Sequence, residues 1–286
     1  MSRPLSQEPP ASVAAAALAP DPPAAATAHA FECDNVSLEF STSRGALTVL
    51  RNVGFTVAEG EFVSIVGQSG TGKTTLLRVL GGLQRPAAGS RVLHRGSPVT
   101  GPPPGVIAVF QDYRGSLLPW RTVERNVMLG LEGTLAAAER RERCQSALEL
   151  VGLADRAKDY PWRLSGGMQQ RVQIARALAM QPRVLLMDEP FGALDAMTKA
   201  QLQDELQTVH KVTGATIVFV THDIEEAVYL SDRVLVLADR PARIATEVTI
   251  TLPRPRDQIT TRELPEYLQF RHTAHLALRG QSDGHH

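Results

Sequence analysis

A glycine-rich segment that ends in a lysine and a threonine has the residue types and spacing needed to bind phosphate. It comprises Gly67, Gln68, Ser69, Gly70, Thr71, Gly72, Lys73 and Thr74, with Thr75 expected at the α-phosphate. The glycines allow successive backbone N–H groups to point inward around an anion without Cβ clashes. Lys73 adds a positive charge for β- and γ-phosphates, and the Thr74 hydroxyl is placed to bind Mg²⁺. The segment lies between an apolar strand pattern and a helical pattern, so the positive end of the helix faces the same anion.

An acidic pair, Asp188 and Glu189, directly follows a second apolar run at residues 184–187. A carboxylate at the carboxyl end of a buried strand reaches the crevice in which open α/β sheets bind ligands. We therefore expect Asp188 to hold Mg²⁺, directly or through water, and Glu189 to polarise an attacking water as a general base. The alternative, an acidic pair that only caps the turn at Pro190, is disfavoured by the phosphate-binding loop upstream.

A third segment suggests that the site is shared between copies of the chain. Ser165, Gly166 and Gly167 precede Met168, Gln169 and a helical stretch at residues 170–180. A serine and glycines at a helix N-terminus form an anion site, here the second in a chain with one phosphate-binding loop. We expect this second site to complete the nucleotide pocket of another copy.

Composition excludes several classes of protein. The chain has 286 residues, 30 Lys and Arg against 30 Asp and Glu, and 43% hydrophobic residues. Its zero formal charge offers no general basic surface for nucleic acid or acidic membranes. No apolar run approaches the roughly 18 residues of a spanning helix, so we do not expect the chain to cross a membrane. Cys33 and Cys144 have no metal-ligand spacing, and the pattern around Cys144 predicts a small core residue on a helix.

The elements that position these residues follow an alternating pattern. Residues 31–40 and 47–57 have β-type patterns, and they precede strands that are apolar throughout and separated by helical stretches. Such an order predicts an α/β fold with a mostly parallel sheet buried on both faces. The predicted strands are residues 61–66, 184–187, 216–220 and 234–237, and the predicted helices are residues 73–83, 122–153 and 170–180.

The segment from Leu164 to Gln169 resembles the signature of the ATP-binding subunits of ATP-binding cassette transporters. The usual signature ends in Gln where this chain has Met168 followed by Gln169, a variant that is common among importer cassettes. The resemblance covers roughly residues 31–256 and implies a P-loop NTPase fold with a RecA-like core, an antiparallel β subdomain and an inserted α-helical subdomain. It also implies ATP and Mg²⁺ as ligands, and a head-to-tail dimer that sandwiches ATP between the loop of one copy and the signature of the other.

Further residues match the family's remaining motifs in order. Phe40 matches the aromatic that stacks on adenine, although a core phenylalanine in a strand is a serious alternative. Gln111 matches the glutamine that joins the Mg²⁺ site to the membrane subunit. Asp195 closes the loop that contacts the partner across the dimer, and His222 matches the switch histidine at the γ-phosphate. The resemblance thus assigns Glu189, His222 and Gln111 to catalysis, and Thr74, Gln111 and Asp188 to Mg²⁺.

Two segments resemble one importer subfamily in particular. Residues 110–123 and 252–257 are similar to cassettes that energise uptake of nitrate, taurine and aliphatic sulfonates, a group that includes importers of pyrimidine vitamin precursors. This resemblance implies a permease as a separate chain, a periplasmic or extracellular substrate-binding protein, a location on the cytoplasmic face of the cell membrane, and no nucleic-acid partner. Leu117, Leu118 and Trp120 are candidates for a groove that receives the permease, with ordinary packing as the alternative.

The predicted organisation is an Ala/Pro-rich disordered tail at residues 1–30, a cassette at residues 31–256 with its helical subdomain at about 113–164, and a C-terminal extension at residues 257–286. A non-transport cassette ATPase, acting in cofactor assembly or on nucleic acid, is the main alternative function. A small-molecule kinase would leave Ser165 and His222 unexplained, and an exporter is disfavoured by the importer-like tail.

Overall fold

The computed structural model describes residues 29–43, 45–111, 115–192 and 194–279. The N-terminal tail that we predict to be disordered, residues 1–30, lies outside the described part up to residue 28. The strands are β1 (His29–Thr42), β2 (Gly45–Ala58), β3 (Phe62–Val66), β4 (Arg91–His94), β5 (Ser97–Pro98), β6 (Val106–Val109), β7 (Val184–Asp188), β8 (Thr216–Thr221), β9 (Arg233–Ala238) and β10 (Arg243–Thr249). The α-helices are α1 (Lys73–Leu80), α2 (Val123–Val127), α3 (Ala137–Leu150), α4 (Gly166–Ala179), α5 (Ala196–Thr213), α6 (Ile224–Leu230), α7 (Thr260–Glu263) and α8 (Pro265–Arg279).

The strands form a mixed sheet and an antiparallel sheet. The mixed sheet has the order β10-β9-β3-β8-β7-β6, in which every neighbouring pair is parallel except β10 with β9. The antiparallel sheet has the order β2-β1-β4-β5. Parallel neighbours require crossover connections, and the helices between β3, β7, β8 and β9 supply them. The predicted α/β fold with an antiparallel portion is confirmed.

The mixed sheet is buried on both faces, as the continuous apolar runs predict. Along β7, Leu185 and Met187 face a core that includes α3 to α6 and α8, whereas Val184 and Leu186 face a core shared with α1 and the antiparallel sheet. The period of two along a strand separates these sets. The sheet is therefore the central layer of the fold. The loops that follow the carboxyl ends of its parallel strands lie along one edge.

The helices between β6 and β7 pack on a buried polar junction. Asn126 of α2 is fully buried, and its side-chain nitrogen donates to the carbonyl oxygens of Leu118, Arg121 and Thr122 at 3.0–3.1 Å. Its Oδ1 accepts from the Leu118 N–H at 2.8 Å and from the Arg176 guanidinium of α4 at 3.0 Å. The Asn126 side chain thus provides hydrogen-bond partners for backbone groups of the preceding loop, which would otherwise be buried without one. That a helical subdomain ends at about residue 164 stays a prediction, because α4, which begins after this residue, packs in the same core as the preceding helices.

The C-terminal helices pack against the same layer as α6. Arg256 is buried and donates to the carbonyl oxygens of Val228, Tyr229 and Ser231 at the end of α6. Burial lowers the pKa of Arg256 to about 10, and the carbonyl contacts compensate part of the desolvation of its charge. On α8, Tyr267 is almost completely buried and donates to the Glu225 carbonyl at 3.1 Å.

The expectation for Cys144 is met. Cys144 is a buried residue of α3, and its thiol lies 3.5 Å from the Glu124 carbonyl. Among the described helices, none combines the length and apolarity that crossing a membrane requires.

Replacing Asn126 with alanine should destabilise the fold by about 2–4 kcal/mol, because the substitution leaves several buried backbone groups and one N–H group of Arg176 without their hydrogen-bond partner. Urea unfolding monitored by circular dichroism measures this loss. Arg125→Ala, at an exposed position of the same helix, is the matched control and should change the free energy of unfolding by no more than about 0.5 kcal/mol. Equal effects of the two substitutions would contradict the role given to the junction.

Candidate active site

The phosphate-binding loop connects β3 to α1 and has the geometry that its glycines predict. Gly67 approaches β9 closely, since a Cβ there would lie 2.6 Å from the Leu237 carbonyl oxygen. Gly72 precedes α1 with a φ of 94°, a left-handed conformation that favours glycine. Lys73 is buried and turns back, so that its Nζ donates to the carbonyl oxygens of Gly67 at 2.9 Å and Gln68 at 3.1 Å. The loop is therefore closed around the lysine ammonium.

The outer wall of the loop consists of β2 and the turn after β9. A Cβ on Gly72 would lie 2.9 Å from Val49, which shows how closely β2 packs on the loop. Arg240 donates to the Ser69 carbonyl at 2.9 Å from the other side. Phe40, on the strand that pairs with β2, is 37% exposed, so it is not a core residue and its ring is available for stacking.

Glu189 is the centre on which the candidate catalytic residues converge. Its Oε2 lies 3.2 Å from the Gln111 side-chain nitrogen and 3.2 Å from His222 Nδ1. Its Oε1 lies 3.9 Å from Lys73 Nζ. Gln111 follows β6, Glu189 follows β7 and His222 follows β8, so neighbouring parallel strands deliver these side chains to one edge.

The backbone of Glu189 is held in an unusual conformation. Its φ is 46°, in the left-handed region that costs a residue with a side chain about 1–3 kcal/mol. Its N–H donates to the Val220 carbonyl at 2.9 Å, and its own carbonyl accepts from the Gln170 side chain at 3.3 Å. Both backbone groups are therefore fixed, and the carboxylate is aimed at the loop.

Asp188 has the surroundings expected of a metal ligand. The residue is 1% exposed, and its Oδ1 has no hydrogen-bond partner among the described residues. Burial raises the pKa of the carboxyl, and a hydrogen bond with the Thr74 hydroxyl opposes that shift. A buried carboxylate oxygen with no donor, beside a threonine hydroxyl, fits Mg²⁺, a hard cation that prefers oxygen ligands.

The charge of Lys73 is shaped by the same cluster. Burial lowers the pKa of its ammonium, whereas the nearby Glu189 and Asp188 carboxylates raise it less. The described residues hold no group of three or more His, Cys, Asp or Glu suited to a metal ion. A cation bound here with a nucleotide would also take ligands from phosphate oxygens and water, the usual manner of Mg²⁺ in nucleotide sites.

The remaining predicted residues lie at helix N-termini. Ser165 caps α4 and accepts from the Met168 N–H at 3.3 Å, and Gly166 and Gly167 form the first turn. Asp195 caps α5 and accepts from the Thr198 N–H at 3.0 Å, a bond that lowers the pKa of its carboxyl. Neither cap has a hydrogen bond or ion pair to Lys73 or Glu189 among the described contacts.

Two residues at the site were not predicted from the sequence. Gln170 holds the Glu189 carbonyl, and Arg240 holds the phosphate-binding loop. Gln170 directly follows the signature-like segment, and this position in the helix that the segment begins was a usable signal. Arg240 has no local signal, since its contact depends on how β9 packs beside β3.

The chain is similar to known transport proteins. A family model described as "ABC transporter" matches residues 50–192, which include the loop, the signature-like segment and the acidic pair. The nitrate import ATP-binding protein NrtC of Synechococcus elongatus is 45% identical over 231 residues, which cover 79% of this chain and 35% of NrtC. The bicarbonate transport ATP-binding protein CmpD of Synechocystis sp. is 44% identical over 245 residues, which cover 84% of this chain and 86% of CmpD.

A solved structure shows the same fold. The ATP-binding cassette MJ0796, captured as a dimer in a post-hydrolysis state with ADP and Pi, superposes with a TM-score of 0.69 at 33% identity. The superposition covers 77% of this chain and 98% of that one. Since the match to CmpD spans most of both proteins and the family model contains the loop and the acidic pair, this chain belongs to the ABC transporter family, as an ATP-binding cassette that hydrolyses ATP.

Proposed function

We propose that the chain is the ATPase subunit of an importer that takes up a small anion through a separate permease. The observation that carries the catalytic part is the convergence of Lys73, Gln111 and His222 on the Glu189 carboxylate. Similarity to the import and transport proteins NrtC and CmpD supports the transport part.

In this proposal each residue at the edge of the sheet has a separate task. Lys73 and the loop N–H groups bind the β- and γ-phosphates, and Thr75 contacts the α-phosphate. Glu189 accepts a proton from the water that attacks the γ-phosphorus, and His222 and Gln111 contact the γ-phosphate region and keep that water in line. Phe40 stacks on the adenine ring.

Thr74, Asp188 and Gln111 would hold Mg²⁺, which neutralises negative charge on the phosphate oxygens when bound with ATP. The unpaired Oδ1 of Asp188 and its neighbour Thr74 support this assignment. Because Asp188 is buried, its carboxylate gains a partner for its free oxygen only when a cation or donor reaches it.

The site is completed by a second copy of the chain. The N-terminus of α4, with Ser165, Gly166 and Gly167, would approach the γ-phosphate bound by the partner, and Asp195 would face the partner across the dimer. The dimeric state of MJ0796 with ADP and Pi supports this arrangement. ATP binding then closes the dimer and drives a rearrangement of the permease, and hydrolysis with phosphate loss reopens the dimer.

The permease would dock beside Gln111, on the cytoplasmic face of the membrane. Of the groove residues expected from the sequence, Leu117 is packed in the core, so it does not line an open groove. Trp120 is 71% exposed and remains available to a partner helix. A substrate-binding protein outside the membrane would deliver the cargo to the permease.

The cargo is proposed to be a small oxyanion, nitrate or bicarbonate, on the similarity to NrtC and CmpD. Bicarbonate was not among the substrates expected from the sequence. Taurine, aliphatic sulfonates and pyrimidine vitamin precursors stay as sequence-based alternatives within the importer class. A non-transport cassette ATPase is the alternative outside it.

Replacing Glu189 with glutamine should lower ATP turnover by at least about 100-fold, because the variant cannot accept the proton of the attacking water. Binding of ATP should persist, and size-exclusion chromatography with ATP should reveal a trapped dimer. Phosphate release measures turnover. Turnover equal to that of the parent would exclude Glu189 as the base.

Replacing Lys73 with alanine should weaken ATP binding by about 10- to 100-fold, since a charged donor to the phosphates is lost. Titration with a fluorescent ATP analogue measures the dissociation constant. Arg91→Ala, a largely exposed ion-pair residue of β4, serves as the control and should bind like the parent. Unchanged affinity of Lys73→Ala would show that the phosphate site is wrongly assigned.

Deleting the gene in its source organism should abolish growth on nitrate as sole nitrogen source or uptake of labelled bicarbonate. The coding sequence of the parent should restore the lost function, and that of Glu189→Gln should not. Growth on taurine or alkanesulfonates as sole sulfur source tests the alternative substrates. If deletion alters none of these, the chain does not energise an importer of this class.

A further inference from the structure

Lys199 of α5 makes two ion pairs with the helix that follows His222. Its Nζ lies 2.8 Å from Asp223 Oδ2 and 2.5 Å from Glu226 Oε1. The Glu226 side chain is only 6% exposed, whereas the side chains of Lys199 and Asp223 are 27% and 33% exposed, so the charge cluster is partly buried. Although burial lowers it, the pKa of Lys199 is raised overall by its bonds to the two carboxylates. The lysine is therefore charged at neutral pH.

The carboxylates that Lys199 binds hold the residues directly before and after His222. Asp223, directly after His222, uses its other oxygen to cap α6 by accepting from the N–H groups of Glu225 and Glu226. Glu226 accepts from the hydroxyl of Thr221, directly before His222, at 2.5 Å, and the same hydroxyl accepts from the Asp223 N–H. The backbone on either side of His222 is thus tied into one network with Lys199.

His222 itself has little other support. Its side chain is 63% exposed, and its contact with the structure is the 3.2 Å approach of Nδ1 to Glu189 among the described residues. The orientation of the ring therefore depends on the backbone that carries it, and that backbone is fixed by Thr221 and Asp223. An error of about 1 Å in such a group can cost as much as 100-fold in rate.

Lys199 also connects this network to the loop before α5. It lies in the first turn of α5, and its backbone N–H donates to the Asp195 carbonyl at 2.9 Å. The side chain of one residue thus joins the start of α5 to the start of α6. A change in position at Asp195 would reach His222 by this contact.

We propose that Lys199 is a positioning residue for His222: its ion pairs with Asp223 and Glu226 hold the segment that carries the histidine at the correct distance from the γ-phosphate and link it to Asp195. This inference rests on the role proposed for His222. Lys199 contacts neither nucleotide nor metal in this scheme, so it acts on the catalytic step and not on ATP binding.

The test compares steady-state ATPase kinetics of Lys199→Met, Lys199→Arg and the parent, all as full chains. Lys199→Met should lower kcat by about tenfold with KM for ATP changed less than about twofold. Lys199→Arg, which keeps the charge and the hydrogen bonds, should recover kcat to within about threefold of the parent. A kcat of Lys199→Met within twofold of the parent, or an effect on KM alone, would overturn the proposal.

Arg271→Met is the matched control, which tests whether a general loosening of α6 is enough to lower kcat. Arg271 of α8 also pairs with the first turn of this helix, at 3.1 Å from Glu225 Oε1, but Glu225 makes no side-chain contact with Thr221 or Asp223 among the described bonds. The control should keep kcat near that of the parent. If it lowers kcat as much as Lys199→Met, general loosening of α6 explains the effect and the proposal fails.

A double-mutant cycle with His222→Ala, followed by single-turnover hydrolysis with excess protein, separates the inference from the proposed function. If Lys199 acts through His222, adding Lys199→Met to His222→Ala should cause no further loss of rate. Independent, multiplicative losses would overturn the inference alone and leave the catalytic role of His222 intact. A His222→Ala variant with the rate of the parent would instead overturn the proposed site, and the inference with it.

Discussion

The parallel pairing of β8 between β3 and β7 is the constraint on which the candidate site depends. In this register Val66 of β3 pairs with Thr221 of β8, and Asp188 of β7 pairs with Val220. The phosphate-binding loop, the acidic pair and His222 therefore leave the sheet in adjacent positions at one edge. A slip of one residue would turn Asp188 toward the opposite core, since successive side chains alternate between faces.

This edge of the sheet combines a buried lysine charge, an unpaired carboxylate oxygen and a strained backbone. Lys73 brings a cation into a buried position, and the Gly67 and Gln68 carbonyls satisfy it while Glu189 lies nearby. Asp188 keeps an unpaired oxygen, and Glu189 keeps a left-handed backbone. Such features cost stability and persist only where the surrounding fold determines them. In this chain the surrounding fold consists of the fully buried strands β3, β7 and β8, which hold these residues in place.

The sequence predicts the parts of the fold and site whose causes are local. The loop from Gly67 to Lys73 and the acidic residues after β7 could be identified because strand pattern, glycines and charges lie within a few positions of each other. The end of α1 could not be predicted, because it depends on a distant segment. The helix ends at Leu80, and Gly82 lies so close to Gly101 that a Cβ added to Gly82 would be 2.0 Å from the Gly101 carbonyl oxygen. Gln170, Arg240 and Lys199 were missed for the same reason, since each contact joins segments that only tertiary packing brings together.

The segment that matches the family model is for this reason not the whole catalytic unit. It ends at residue 192, yet the strand that separates β3 from β7 is β8, which begins at Thr216. Without β8, the strand β7 that carries Asp188 and the loop after β3 that leads to Lys73 would not lie at the spacing that the site requires. The residues after β8 contribute as well, because Arg256 and Tyr267 fix α6, the helix that begins directly after His222 and Asp223. The chemistry thus resides in short motifs, and the distances between them are determined by segments that lie outside the phosphate-binding loop, the signature-like segment and the acidic pair.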